Sequence, residues 1–401
     1  MHATASPRDQ LSVVMVCGDF PPMLSGVGDY CAHVSRSLAE LGHEVTVVTT
    51  EGATGGDFLG GSPVVVEPVV SRWQLREFGQ VLTVADRLSR RCILDLQYHC
   101  PGTYGRRMLI NALPGLIRMV RPAARVVVTM HGFREQGVLF RLRALPMLRL
   151  AHGVIFVDRK NERLLGAYGG HGSSRLRFIP IAGNIPPVEV TVEERRRLRR
   201  ELGFGEEDVV VAFFGGIGRS KGFHHLVKAV ELARTEFGLS AVLLAIGGFH
   251  EDGVNRGYQE QMKVEIGKKP ASDWVKIIAA PPPARASELL RCADVAAYPF
   301  LDGVGENSGS MMAALAHGLP TVATKGHGNP PDFEDHFGVA LVPPRDSRAL
   351  AEKIVSLANS ADTRARMKKR ALEVTQARSW PSIAEQTAGF FHSLLRKGHH
   401  H

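Results

Sequence analysis

The strongest constraint on this 401-residue chain is a pattern that occurs twice. VVMVCG at 13–18 runs into DFPPMLSGVGDY, and VAFFGG at 211–216 runs into IGRSKGFHHLVKA. Each is an apolar, β-branched run that breaks into glycines and then starts a helix. A strand, a glycine loop and a helix in that order present backbone N–H groups and the positive end of a helix dipole, which is a site for phosphate. Two copies about half a chain apart predict an α/β protein of two doubly wound, Rossmann-like domains facing a central cleft. The second copy adds Arg219 and Lys221, cations for a diphosphate, whereas the first loop has no basic residue. That asymmetry assigns a donor nucleotide to the C-terminal half and a second substrate to the N-terminal half.

The flanking sequence fits. Apolar runs at 43–50, 62–69, 93–98, 125–132 and 153–158 alternate with helical stretches, the signature of a parallel sheet covered on both faces. Residues 177–190, RFIPIAGNIPPVEV, are proline-rich and read as a last strand running into a linker. Runs at 208–215, 241–248, 273–280, 293–300, 319–324 and 338–344 then repeat the pattern, and 379–397 reads as an amphipathic helix. The expected division is 1–186 for an acceptor-binding domain and 187–378 for a nucleotide-sugar-binding domain. Helix 379–397 is expected to pack back on the first domain, with 398–401 a tag remnant. No apolar run reaches a membrane span, the N-terminus lacks a signal-peptide core, and the five cysteines show no C-x-x-C pairing. A cytoplasmic address is expected, with no disulfide framework, metal site or cofactor. The net charge of +9 is dispersed and aromatics are 7%, which argues against a nucleic-acid partner.

Four constellations carry chemistry. In DFPPMLSGVGDY, Gly26 and Gly28 permit close backbone approach, and Asp19 and Asp29 are candidates for sugar hydroxyls; the alternative is a tight turn without a ligand. His131 ends the 125–132 strand, where ligands of open α/β sheets gather; a structural histidine is the alternative. Gly216, Gly218 and Gly222 form a G-x-G-x-x-x-G that also suits a dinucleotide, but the next strand ends without the acidic residue a ribose would need. In YPFLDGVGENSGSMMAALAHGLP (298–320), a helix starting near Ser310 offers the amides of Ser308, Gly309, Ser310 and Met311 to a phosphate.

Together these residues resemble the retaining glycosyltransferases of GT-B fold, sequence family 4 (group 1 type). The P-P-x-x-G-G-[IV]-G-x-Y loop of that family is matched at Pro21, Pro22, Gly26, Val27, Gly28 and Tyr30, with Ser25 replacing one glycine. Its T-x-H strand end is matched by Thr129 and His131, and its A-x-G-x-P-x-V-x-T segment by Ala316, Gly318, Pro320, Val322 and Thr324. Of its basic diphosphate pair only Lys221 falls in register; Arg219 is displaced. Its E-x7-E pair falls on Gly305 and Ala313, with Glu306 one position from the first. The resemblance implies metal-independent transfer from a nucleoside-diphosphate sugar. Lys221, Arg219 and Glu306 would act at the diphosphate and the sugar, Gly216 and Gly218 would line the donor site, and His131 would position the sugar. The departures keep open a catalytically silent homologue that binds a nucleotide sugar or supports a partner.

For the acceptor, Asp95, Gln97, His99 and Tyr104 in LDLQYHCPGTYG suit a sugar, an aminocyclitol or another polar small molecule, lipid-linked acceptors included. The basic and apolar mix around Arg106, Arg107, Arg118 and Arg121, repeated at 139–153, has two readings: an ordinary amphipathic helix, or a peripheral contact with anionic membrane.

Overall fold

The computed structural model describes residues 10–23, 25–87, 92–99, 104, 109–134, 136–169, 175–249 and 255–396. Cys100, Arg106, Arg107 and the tag-like 398–401 lie outside them. The chain divides into two compact units, Met1–Ile181 with Arg378–His401, and Ala182–Ala377.

The first unit is built on β1 (Ser12–Val16), β2 (Glu44–Thr50), β3 (Val65–Val70), β4 (Cys92–Tyr98), β5 (Arg125–Met130), β6 (Gly153–Phe156) and β7 (Leu176–Phe178). They form one parallel sheet in the order β3-β2-β1-β4-β5-β6-β7. β4 is buried along its whole length, as its unbroken apolar run requires, while β3 takes the edge, where Pro68 costs no ladder bond. The second unit carries β8 (Val209–Phe214), β9 (Ala241–Gly247), β10 (Val275–Ala279), β11 (Val295–Tyr298), β12 (Thr321–Thr324) and β13 (Val339–Val342), parallel in the order β10-β9-β8-β11-β12-β13. In each sheet the strand order reverses beside the unit's first strand, between β1 and β4 and between β8 and β11. Those reversals open a crevice at the carboxyl ends of the strands.

Ala182–Ile185, read from sequence as the close of the first domain, belongs to the second unit. The reason is a backbone contact: a Cβ on Gly183 would stand 2.8 Å from Ala313 Cα, so this segment lies directly on the Gly309–Ala316 helix. The closing helix, Trp380–Arg396, packs on the Gly26–Glu40 helix of the first unit. It buries Ile383, Ala384, Thr387, Ala388, Phe391 and Leu394, a stripe at helical spacing. Gly153 at the start of β6 admits this helix, since a Cβ there would meet Leu394 and Phe390 at 2.8 Å.

The basic helix Val192–Glu201 opens with a capping box, Thr191 and Glu194. Two of its arginines are structural. Arg195 and Arg199 each donate to Asp294 at 2.6 Å, one to each carboxylate oxygen, and Asp294 also accepts from the Val210 N–H at 2.8 Å. This ties the helix to the chain leading into β11 and to β8. Asp294→Ala leaves two guanidinium groups without their anion, and the expected cost is about 3 kcal/mol. Urea unfolding of the variant checks this; an unchanged midpoint would mean the cluster adds nothing.

Candidate functional site

In the second unit the glycine loop follows β8, and its shape is set by what it touches. Gly222 has φ +65°, and a Cβ there would meet the Pro299 carbonyl oxygen at 2.0 Å, so the loop presses against the chain leaving β11. Gly215 (φ +127°) brings the end of β8 beside Ser310, with Ser310 Cβ 3.6 Å from the place its own Cβ would occupy. The crevice between β8 and β11 is therefore flanked by Lys221 on one side and the start of the Gly309–Ala316 helix on the other.

The Lys221 ammonium lies 4.0 Å from the centre of the Phe300 ring, and burial lowers its pKa to about 8. Among the described residues it forms no ion pair. A half-buried cation held by an aromatic face and lacking a carboxylate suits an incoming anion. Arg219, its expected companion, takes a different partner: its guanidinium lies 5.7 Å from the centre of the Tyr258 ring, in a cavity of about 400 Å³ shared with His224, His225 and Lys228. The helix amides divide as well. Ser308 N–H donates to the Gly305 carbonyl and Met311 N–H to the Ser308 hydroxyl that caps the helix. That leaves the Gly309 and Ser310 amides, of the four, as candidates for a phosphate. Glu306 is buried, 2% exposed, in the loop between β11 and this helix. Gly216 and Gly218 lie in the loop, with Gly218 next to the Asn255 side chain.

In the first unit, Ser25 caps the Gly26–Glu40 helix through the Gly28 N–H. A Cβ on Gly28 would sit 2.5 Å from the Asp19 carbonyl oxygen, whereas Gly26 faces open space. Gly28 thus lets the helix start lie on the chain leaving β1, and Gly26 is the one with room for a ligand. Asp19 and Asp29 are half-buried on either side of this turn and His99 is exposed at the end of β4. Tyr104 differs from expectation. It is buried, and its hydroxyl lies 2.8 Å from the Val16 carbonyl and 2.7 Å from the Gln97 carbonyl. It braces the β1/β4 reversal, and its hydroxyl has no hydrogen to spare for an acceptor.

Gln97 is likewise engaged. Its Nε2 donates to Asp95 Oδ2 at 2.8 Å and its Oε1 lies 2.9 Å from His131 Nε2. Thr129 Oγ1 donates to both Asp95 oxygens, at 2.8 and 3.0 Å. Burial raises the Asp95 carboxyl to about 7 despite these donors, and lowers His131 to about 3, the nearby His99 adding to the effect. The neutral His131 ring meets Tyr30 edge-on, centroids 4.7 Å apart; Tyr30 in turn meets Trp380 of the closing helix, which stacks on His33. Nothing in the sequence pattern announced Asp95 as a buried hub, because an aspartate inside an apolar strand has no motif.

Two family models match the chain, Glycosyltransferase Family 4 over 24–182 and Glycosyl transferases group 1 over 194–374. The chain belongs to the group 1 glycosyl transferases. It is 30% identical over 207 residues to the D-inositol 3-phosphate glycosyltransferase of Corynebacterium kroppenstedtii, covering 51% of this chain and 45% of that one. To the enzyme of the same name from Nocardia farcinica it is 27% identical over 232 residues, 57% and 50% of the two chains. It spans about half the length of these curated relatives. Two GT-B-type structures share the fold: Anabaena Alr3699/HepE in complex with UDP and glucose (TM-score 0.73, 17% identity, 95% of this chain and 99% of that one) and the sucrose-phosphate synthase of Thermosynechococcus elongatus (TM-score 0.74, 17% identity, 97% and 100%).

In this group 1 glycosyl transferase the position that the resemblance gives to the second glutamate is Ala313, which is closely packed. Ala313 is fully buried, with the Gly183 backbone laid on the helix beside it. Its carbonyl lies 2.7 Å from His317 Nδ1, while His317 Nε2 lies 2.7 Å from Ser287 Oγ, which accepts from the Val188 N–H. Burial holds His317 down at about 4, so the ring is neutral and each of these bonds has one sensible direction: Ser287 donates to Nε2 and Nδ1–H donates to Ala313.

The raised Asp95 carboxyl makes stability depend on pH with a definite sign. Between its unfolded value near 3.8 and its folded value near 7 the native state binds more protons than the unfolded state. Stability relative to Asp95→Asn therefore falls as pH rises through that window and levels off above it. Unfolding midpoints of both proteins at pH 5 and pH 8 check this; a constant difference would contradict it.

Proposed function

We propose that the protein transfers a sugar, with retained configuration and without a metal ion, from a nucleoside-diphosphate sugar held by the second unit to a hydroxyl of an acceptor held by the first. The observation that carries this reading is Lys221, a half-buried cation on one side of the β8/β11 crevice, with the start of the Gly309–Ala316 helix on the other. In the reaction the bond from the sugar's C1 to the β-phosphate oxygen breaks, and the acceptor oxygen bonds to C1 on the same face. The acceptor's proton passes to the departing phosphate. The developing charge falls on the β-phosphate, where Lys221 and the Gly309 and Ser310 amides stabilise it. On this reading Glu306 would act at the transferred sugar and His131, neutral throughout the physiological range, would position it; a ring titrating near 3 is no general base at neutral pH. Polyhydroxylated acceptors, sugars or cyclitols, fit the Asp19, Asp29 and His99 surroundings, and the names of the curated relatives favour a cyclitol.

We further propose that the first unit contacts anionic membrane. Residues 113–150 hold seven arginines and one acid. The Val138–Arg143 helix buries none of its residues, and Leu139 is 63% exposed; Met119, at the end of the neighbouring Leu113–Val120 helix, is 81% exposed. Apolar side chains interleaved with Arg141, Arg143 and Arg149 suit a headgroup boundary. No helix among the described residues is long and apolar enough to cross a membrane. Leu139→Asp with the exposed Arg143→Glu is expected to abolish sedimentation with phosphatidylglycerol vesicles while leaving the melting temperature unchanged; equal sedimentation of variant and wild type would refute the contact.

A catalytically silent protein is the second reading, favoured by the buried Ala313 where the family carries its ribose-binding glutamate. Thermal shifts with UDP, GDP, ADP and dTDP separate the two. One diphosphate at a hundred times its Kd adds about 2.7 kcal/mol, and the cognate nucleotide sugar is then expected to support transfer with an axial or equatorial linkage matching the donor. Lys221→Ala should lower kcat about a hundredfold to a thousandfold. Binding of a nucleotide sugar with no transfer to any cyclitol, sugar or lipid acceptor would favour the silent homologue.

A further inference from the structure

Asp95 lies inside β4 and is 1% exposed, and among the described residues no cation stands beside it to repay its burial. The Thr129 hydroxyl, shared between its two oxygens, the Thr129 backbone and the Gln97 amide hold it. A buried carboxylate of this kind costs stability, so its presence calls for a role. We propose that Asp95 is a positioning residue for His131: by fixing which way the Gln97 amide points, it fixes which imidazole nitrogen carries the proton.

The argument is one of donors and acceptors. An ionised carboxylate only accepts, so the face of Gln97 turned to Asp95 must be its NH2 group. The carbonyl Oε1 is then the face turned to His131, 2.9 Å from Nε2. A carbonyl also only accepts, so Nε2 carries the hydrogen and Nδ1 carries the lone pair. The ring's own backbone is fixed as well, by the His131 N–H donating to the Tyr98 carbonyl at 2.9 Å. Orientation comes from Tyr30, whose ring meets the imidazole edge-on.

Protonation of Asp95 reverses the chain. A carboxylic O–H directed at Gln97 needs a carbonyl to receive it, so the amide turns over. Its NH2 then faces Nε2, which must give up its hydrogen, and the proton of the neutral ring moves to Nδ1. The Asp95 carboxyl, raised by burial to about 7, titrates where such a reversal would be felt. The titratable groups that face the pair are Tyr30 on the Gly26–Glu40 helix, with Cys31 beside it, and His99 at the end of β4. Neither Tyr30 nor His131 itself changes charge between pH 6 and 8.5, because burial pushes the phenol up and the imidazole down.

This inference rests on His131 facing the transferred sugar only for its catalytic consequence; the tautomer itself can be read without turnover. The test is 15N NMR of the full-length protein labelled at histidine, with the His131 signal assigned by its loss in His131→Gln. At pH 8.5 the wild type is expected to show the Nε2–H tautomer, and on lowering the pH to 6 the Nδ1–H form should gain at its expense. In Asp95→Asn the amide at 95 can present either face, so the pH-dependent exchange disappears and the two forms coexist at both pH values. The same signature in both proteins at both pH values overturns the proposal, as does an Nδ1–H wild type at pH 8.5. Should Asp95→Asn fail to fold, Thr129→Val keeps the carboxylate and removes a donor to it. The midpoint of the tautomer change must then move to higher pH, and an unmoved midpoint overturns the proposal equally. With a donor in hand, Asp95→Asn should lower kcat about tenfold, leave the donor KM unchanged and flatten the pH profile between 6 and 8.5. The expected tautomers with no transfer by the wild type would support the positioning and count against the transfer reading alone.

Discussion

Both crevices depend on places where a helix start lies against a strand end too closely for any side chain. In the first unit Gly28 rests on the Asp19 carbonyl; in the second, Gly222 rests on the Pro299 carbonyl. Each contact fixes where the first turn of a helix stands relative to the sheet, and so where its unpaired amides and neighbouring side chains point. Gly222 does this in a left-handed conformation that branched residues avoid, and the Arg219–Lys221 turn just before it delivers Lys221 to the Phe300 ring. The cation's place is thus set by a glycine and an aromatic ring, with no carboxylate among the described residues to occupy it.

Polar groups beneath the two crevices do a second kind of positioning. Asp95 under the first and Asp294 behind the second both sit at strand level, yet they are satisfied differently. Asp294 is gripped by two guanidinium groups and a backbone N–H, which makes it a clamp between a surface helix and the sheet. Among the described residues Asp95 has only neutral donors, and burial raises its carboxyl. The first arrangement gives rigidity; the second gives a group able to change state within a fixed frame.

Much of this architecture was legible in the sequence because it follows from period and punctuation. Unbroken apolar runs could only be buried parallel strands, and the glycines after 18 and 214 marked where helices begin. What was not legible were contacts between residues far apart in the chain. Tyr104 looked like a hydroxyl for an acceptor, but it lies 88 residues from the Val16 carbonyl that takes up its hydroxyl. Arg219 and Lys221 are two positions apart, and a turn of 3-10 helix sends them to different aromatic rings. Gly183 had no signal at all, since its reason is the buried helix at Ala313. Residues that belong to a motif were legible; those that serve other residues were not.

The closing helix has a consequence for how the protein is made. Its Trp380 stacks on His33 and touches Tyr30, so it completes the same unit that β1 begins. Between Ile181 and Arg378 the ribosome adds the whole of the second unit, some 200 residues, which takes on the order of 10–40 s at ordinary rates. Throughout that interval the apolar face of the Gly26–Glu40 helix and the start of β6 wait without their cover. The unit synthesised first is therefore finished last, and its exposed face is where a chaperone would be needed during synthesis.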